Sequence, residues 1–358
     1  MKQNEKLTSK QFDALIFVSI LSPIIRLFPK SAVKLGGAAT WLSPLAALPV
    51  FILMALAISR MMKNQPEGAD LAAAIKCAYG EKFGGFVLML TGLWLTAYLG
   101  IILRSSAGRL IATIYPNGNI RLFAITILVV SVIIASGKLR SLGRMAEIYL
   151  SVTVLVILFV LTAAIGDFKF ENLLPVRISD AEKIGLGALA MINVATANVY
   201  FMFLYAKKEN TRDFRLGSVF RIFAVLLGIM TMTIGVLSAE LIGKTQHPFF
   251  IMIRNLNILG VIERIEAMIV VLWVISDVIY FASILKIVGR LFESTFGVKK
   301  MQAQIAAEIV SLTVTLFCFG SSFALEKVSE IIVPIINMGI VILILPFAMV
   351  FGLLRKKI

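Results

Sequence analysis

One carboxylate sits inside an apolar run long enough to cross a lipid bilayer. Asp277 lies near the middle of the stretch from Ile262 to Leu285, and a crossing needs about 20 residues at about 1.5 Å each. Insertion scales set the cost of a central carboxylate at about 2.5–3.5 kcal/mol, so it must face protein or a water-filled cavity. Spacing defines that face. Glu266, Trp273, Asp277 and Tyr280 follow one another at intervals of seven, four and three residues, which at about 3.6 residues per turn places them in one narrow sector. Ser276 and Ser283 lie beside it. Asp277 is the candidate for holding a proton or a cation, or for neutralising an ammonium group. Pairing with a polar group on another helix is the competing reading.

Other polar side chains in apolar runs are candidates for contact with a small solute. Asn193, Thr196, Asn198 and Tyr200 make the sixth run the most polar of all. Thr91, Trp94, Thr96 and Tyr98 mark the third. In the first, Ser22-Pro23 falls mid-run and Arg26-Leu27-Phe28-Pro29 near its end. Proline removes a backbone donor and obstructs the preceding turn, and in lipid the freed carbonyls must find partners in protein, water or ligand. The expected contact residues are Ser22, Tyr98, Asn193, Thr196 and Asn198. The bland reading of each is interhelical glue, worth about 0.6 kcal/mol on average.

Enzymatic chemistry finds little material. His247 is the only histidine, the carboxylates are dispersed, and Cys77 and Cys318 stand far apart with no metal-ligand spacing. No catalytic residue, metal site or cofactor is assigned. Gly185 to Ala190 matches G-x-G-x-x-A, but no strand precedes it and no βαβ unit surrounds it, so a dinucleotide site is rejected.

The elements that must carry these residues are membrane helices. Mean hydropathy is +0.95, hydrophobic residues make up 59% and charged residues only 15% of the 358, a balance outside that of soluble domains. The net charge of +15 raises nucleic acid as a partner, but Lys and Arg are scattered between apolar runs without a basic stripe, so topogenic charge explains them and no nucleic acid is expected.

Ten spans are expected, over about 12–28, 38–58, 83–103, 122–135, 145–165, 184–205, 220–241, 262–285, 304–319 and 331–354. Lys2, Lys6 and Lys10 before the first run resemble a signal peptide. Asp13 and Arg26 within it, and the lack of a small-residue cleavage site, favour a first span. Residues 69–79 are too short to cross and are expected on the membrane surface, in contact with lipid. Residues 248–259 are expected as a helical plug or surface helix. The segments on the side of both termini are richer in Lys and Arg than the opposite set, which holds Arg104 and Arg109 among others. The positive-inside rule therefore places both termini in the cytoplasm. Two halves, about 10–166 and 184–354, each open on a polar or interrupted segment. This predicts a single polytopic all-α membrane domain, a five-plus-five inverted repeat with spans 1 and 6 broken near the midplane.

Pro248, Ile253-Arg254, Glu263-Arg264-Ile265-Glu266 and Trp273 carry a family resemblance. Leu7-Thr8-Ser9-Lys10-Gln11-Phe12 and Ala39-Thr40-Trp41-Leu42-Ser43 add to it. Together they resemble the B subunit of spore nutrient germinant receptors, a family related to the amino acid, polyamine and organocation (APC) transporters of LeuT-like fold. The resemblance implies a subunit in the inner membrane of a bacterial spore. It would recognise a small nutrient such as an amino acid and signal to partner A and C subunits, with Glu263, Arg264, Glu266 and Trp273 in structural or signalling roles. The sequence departs from the family pattern at Leu21-Ser22-Pro23, where a small, glycine-containing break is expected, and at Asn193 and Asn198, where span 6 is expected to hold a carboxylate. An ion-coupled amino-acid transporter on the same fold is the alternative, in the cell membrane.

Overall fold

The computed structural model describes residues 7–113, 115–204, 216–256 and 265–355, with the side chains of 22–27, 216, 265 and 266 left aside. Among these residues every regular element is helical. The helices are α1 (Ser9–Gly36), α2 (Ser43–Lys63), α3 (Leu71–Tyr79), α4 (Glu81–Thr113), α5 (Ile120–Ser136), α6 (Leu139–Ala163), α7 (Ala181–Ala195), α8 (Leu216–Leu237), α9 (Ala239–Lys244), α10 (Pro248–Asn255), α11 (Ile265–Phe296), α12 (Lys300–Phe317), α13 (Ser322–Lys327), α14 (Val333–Ile342) and α15 (Ala348–Leu354). A 3-10 segment, Thr196–Leu204, continues α7, and π-helical turns at Val328–Ile332 and Leu343–Phe347 join α13, α14 and α15 into one rod.

Seven described helical segments are long and apolar enough to cross a membrane: Ala38–Lys63, Glu81–Thr113, Leu139–Asp167, Ile178–Leu204, Gly217–Leu237, Ala267–Phe296 and Ser322–Leu354. The protein is thus an integral membrane protein. Helices α1, α5 and α12 occupy the positions of the other three expected spans.

Thr8 starts α1 with a capping box, its hydroxyl accepting from Gln11 N while Gln11 Oε1 accepts from Thr8 N. The helix then runs unbroken to Gly36, where an interruption at Ser22-Pro23 was expected. One proline removes a single backbone donor, and the ladder resumes on either side in a helix packed against both α6 and α7. The sixth crossing likewise does not open into an extended break. It changes pitch at Thr196, from α to 3-10.

The core is assembled from a few extensive helix contacts. Helix α1 packs on α7, α4 on α11, and α2 on α8; α4 also packs on α12, and α11 on α5. Helix α3 buries its apolar face against α4 and α15. Its Tyr79 hydroxyl donates to Leu343 O at 2.7 Å, and burial pushes that phenol up to about 12, so it stays neutral and donating. Lys30 Nζ meets Glu326 Oε1 at 2.9 Å, tying α1 to α13.

Close approach of α4 and α12 depends on a glycine. A Cβ on Gly100 would lie 2.7 Å from Ser311 O and 2.7 Å from Val314 Cβ. At this contact Ser311 Oγ donates to Thr96 O and Thr315 Oγ1 to Gly100 O, both at 2.9 Å. Gly100→Ala is expected to destabilise by about 1–3 kcal/mol. Gly339→Ala, with open space around the added carbon, is expected to stabilise slightly. Thermal unfolding of the two purified variants checks the contrast, and equal midpoints would refute the packing assignment.

Candidate functional site

Three residues of the stripe read from the sequence are buried. Trp273, Asp277 and Tyr280 of α11 are all in the interior, with Asp277 only 3% exposed. The carboxylate has a partner that sequence reading missed. Arg109, 7% exposed, donates from Nη2 to Asp277 Oδ2 and, at 3.2 Å, to Ser106 Oγ. Its guanidinium carbon also lies 5.7 Å from the centroid of the Trp273 ring, within cation–π range. A basic residue after an apolar run reads as the end of a span, so Arg109 was counted with the outer segments. Instead α4 continues to Thr113 and carries Arg109 inside. The ion pair is the physical reason: a buried cation at this place is tolerable because a carboxylate meets it.

Helix α10 closes this cluster on one side. Pro248 stands in its first turn, where a missing N–H costs nothing, and its apolar side chains face inward. Phe250 and His247 pack on Trp273 with ring centroids at 5.6 and 6.2 Å. A small cavity adjoins, lined by Val18, Tyr149, Thr153, Phe249, Leu272 and Trp273 among others. Tyr149 donates to Leu272 O at 2.9 Å, whereas Thr153 Oγ1 is buried with no hydrogen-bond partner. Ser276 Oγ, next to Asp277, is in the same condition.

A second polar cluster centres on Asn337 of α14, 1% exposed. Its Oδ1 accepts from Trp94 Nε1 at 2.7 Å and from Tyr200 Oη at 3.0 Å. Indole N–H can only donate, which fixes the amide orientation. Tyr98 stacks on Trp94 with centroids 5.8 Å apart. Phe201 packs on Tyr280 at 5.2 Å, so α4, the 3-10 segment, α11 and α14 meet here. Asn337 lies in the last apolar run of the sequence, and a lone amide in such a run carries no sign of its partners.

Thr196 and Asn198 have a local task. Where the i−4 ladder of α7 gives way to i−3 bonding, carbonyls lose their regular donors. Thr196 Oγ1 donates to Asn193 O at 2.9 Å and Asn198 Nδ2 to Ala195 O at 2.8 Å. Two of the polar residues of this run thus serve the change of pitch. Asn198 Oδ1 remains buried without a hydrogen-bond partner.

The structure does not gather the expected contact residues into one pocket. Asn198 lines a larger cavity between α1, α2, the 3-10 segment and α8, while Trp273 lines the smaller one. Tyr98, Thr196 and Asp277 are packed in the interior and Asn193 is half-buried, and these four line neither. The side chains of Ser22 and Glu266, and all of Glu263 and Arg264, lie outside the described residues. Among the described residues no group of three or more His, Cys, Asp or Glu is placed to hold a metal.

Comparison with known proteins gives this geometry a context. Residues 6–324 match the family model described as spore germination protein. Spore germination protein A2 of Bacillus subtilis (strain 168) is 20% identical over 282 residues, covering 77% of this chain and 76% of that protein. The crystal structure of MhsT in complex with L-phenylalanine, a LeuT-fold transporter, superposes with a TM-score of 0.59. It shares 14% identity with this chain, and the match covers 95% of this chain and 89% of MhsT. The fold is therefore that of LeuT-type transporters, and the chain belongs to the spore germination protein family.

Proposed function

We propose that this protein is the B subunit of a spore germinant receptor, a transporter-fold sensor that binds a small nutrient and signals with A and C subunits in the spore inner membrane. The observation that carries the reading is the family match across residues 6–324 on a LeuT-type fold. The nutrient is an amino acid in this reading, a class supported by the ligand named for the solved transporter.

The architecture proposed is ten crossings in a five-plus-five inverted repeat, about 10–166 and 184–354, with both termini cytoplasmic. Helix contacts support it. The extensive pairs α1 with α7, α4 with α11 and α2 with α8 are the pairs that such a repeat relates by its pseudo-two-fold axis. The packing of α4 on α12 is matched by that of α11 on α5, as the same symmetry requires.

Nutrient recognition belongs, in this proposal, to the space between crossings 1, 3, 6 and 8, where Tyr98, Asn193, Thr196, Asn198 and Ser22 are the contact candidates. The unpartnered Ser276 oxygen supports a polar guest there, because buried polar atoms otherwise find partners. The pairing of Asp277 with Arg109 gives the carboxylate a role in holding crossings 3 and 8 together. A ligand that breaks or tightens the pair shifts the packing equilibrium by its differential affinity for the two states.

Germination of spores lacking the chain, measured as loss of optical density across an amino-acid panel, tests the proposal. The response to at least one nutrient is expected to vanish and to return on complementation. Robust gradient-driven uptake of labelled amino acid by the isolated chain in proteoliposomes, with germination unchanged, would instead establish the ion-coupled transporter.

A further inference from the structure

Helix α12 carries a carboxylate with no counterpart. Its inner face is held to α4, where Ser311 Oγ and Thr315 Oγ1 donate to Thr96 O and Gly100 O. These bonds set the two helices parallel and fix the depth of α12. Thr96 stands midway along Glu81–Thr113, one of the segments able to cross a membrane. Glu308 is one turn from Ser311, so it too lies near mid-depth.

Around the helix axis Glu308 borders the outer face. Gln304, Ala307, Ser311 and Thr315 are buried, whereas Met301, Ile305 and Ile309 are 51%, 47% and 63% exposed. Glu308 and Leu312 are half-buried at the edge between the two sectors. Met301, Ile305, Glu308 and Leu312 follow one another at intervals of four, three and four, the spacing of a seam against a second helix. No hydrogen bond, ion pair or neighbouring charge among the described residues acts on the Glu308 carboxylate, and it lines neither cavity described above. Intramembrane carboxylates pair with another group or face water, and lipid tails offer neither. Lipid headgroups lie about 15 Å away, half the thickness of the hydrocarbon core. A second copy related by a two-fold axis would set Glu308 against Glu308, and like charges repel.

We propose that this seam docks a transmembrane helix of a different polypeptide, one that carries an arginine or lysine at mid-depth. Its cation pairs with Glu308, and its apolar side chains pack along Met301, Ile305 and Leu312. The proposal rests on α12 crossing the membrane, as in the ten-crossing reading above, and on no particular nutrient.

Photoreactive benzoylphenylalanine placed at position 309 of the full chain, in its native cells, is the probe, because Ile309 flanks the seam and is exposed. Irradiation is expected to join the chain to a helix whose peptide, read by mass spectrometry, holds a basic residue within an apolar run. Glu308→Lys should lower the crosslinked yield at least about tenfold, and reversing the partner's basic residue to glutamate should restore it. Glu308→Gln, nearly isosteric, should lower the yield as well while leaving thermal unfolding of the purified chain unchanged, which separates lost docking from lost fold. Crosslinks to lipid alone, to a second copy of this chain or to a helix without a basic residue would each overturn the assignment, as would a yield that Glu308→Lys leaves unaltered. None of these outcomes touches nutrient recognition, which the germination assay reads separately.

Discussion

Arg109→Met is expected to destabilise the purified protein by about 3–5 kcal/mol, the cost of leaving a buried carboxylate uncompensated. Asp277 is 3% exposed and receives the Arg109 guanidinium, and no bulk water is at hand to replace it. The double variant Arg109→Met, Asp277→Leu should recover most of that loss, because a buried ion pair is often replaceable by well-packed apolar side chains. Unfolding of the starting protein, both single variants and the double variant in detergent, followed by denaturant titration, measures the cycle. A single variant as stable as the starting protein would mean that the pair is not buried in the native state. The same cycle separates stability from signalling. If the pair is the element that a nutrient acts upon, the double variant folds yet fails to restore germination.

Asn337→Leu should strand two donors at once, Nε1 of half-buried Trp94 and Oη of buried Tyr200, at up to about 1–3 kcal/mol each. The side-chain volume is nearly kept, so lost hydrogen bonds rather than a cavity dominate the effect. Tyr200→Phe should cost less in the Asn337→Leu background than alone, since its partner is already gone. A double-mutant cycle in unfolding free energy reads this coupling directly, and strictly additive costs would contradict the bond.

The inward face of α11 was legible in the sequence because a carboxylate in an apolar run has so few tolerable surroundings. Trp273, Asp277 and Tyr280 are buried as their spacing requires. Seven of the expected crossings coincide with described helices long and apolar enough to span, and these were legible for the same reason, since hydropathy and length are local. What escaped was everything set between distant helices. Arg109 looked like a border charge, although it pairs with a residue 168 positions away. The hydrogen bonds of Asn337 span 243 and 137 positions, and no periodicity reports them. Pro23 was overread, because one missing donor does not end a helix held by neighbours on both sides. The polar residues at 193–198 were seen, but two of them serve the backbone. The α-to-3-10 change they support is a matter of pitch that composition does not encode.

That change of pitch sets the length of the sixth crossing. A 3-10 helix rises about 2.0 Å and turns about 120° per residue, against about 1.5 Å and 100° for an α-helix. Over the nine residues of Thr196–Leu204, rewinding to α geometry would shorten the rod by about 4.5 Å and swivel its far end by about half a revolution. Tyr200, midway along, would swing off Asn337 as it did so. The crossing thus resembles a screw thread, in which a small axial pull and a large rotation are one motion.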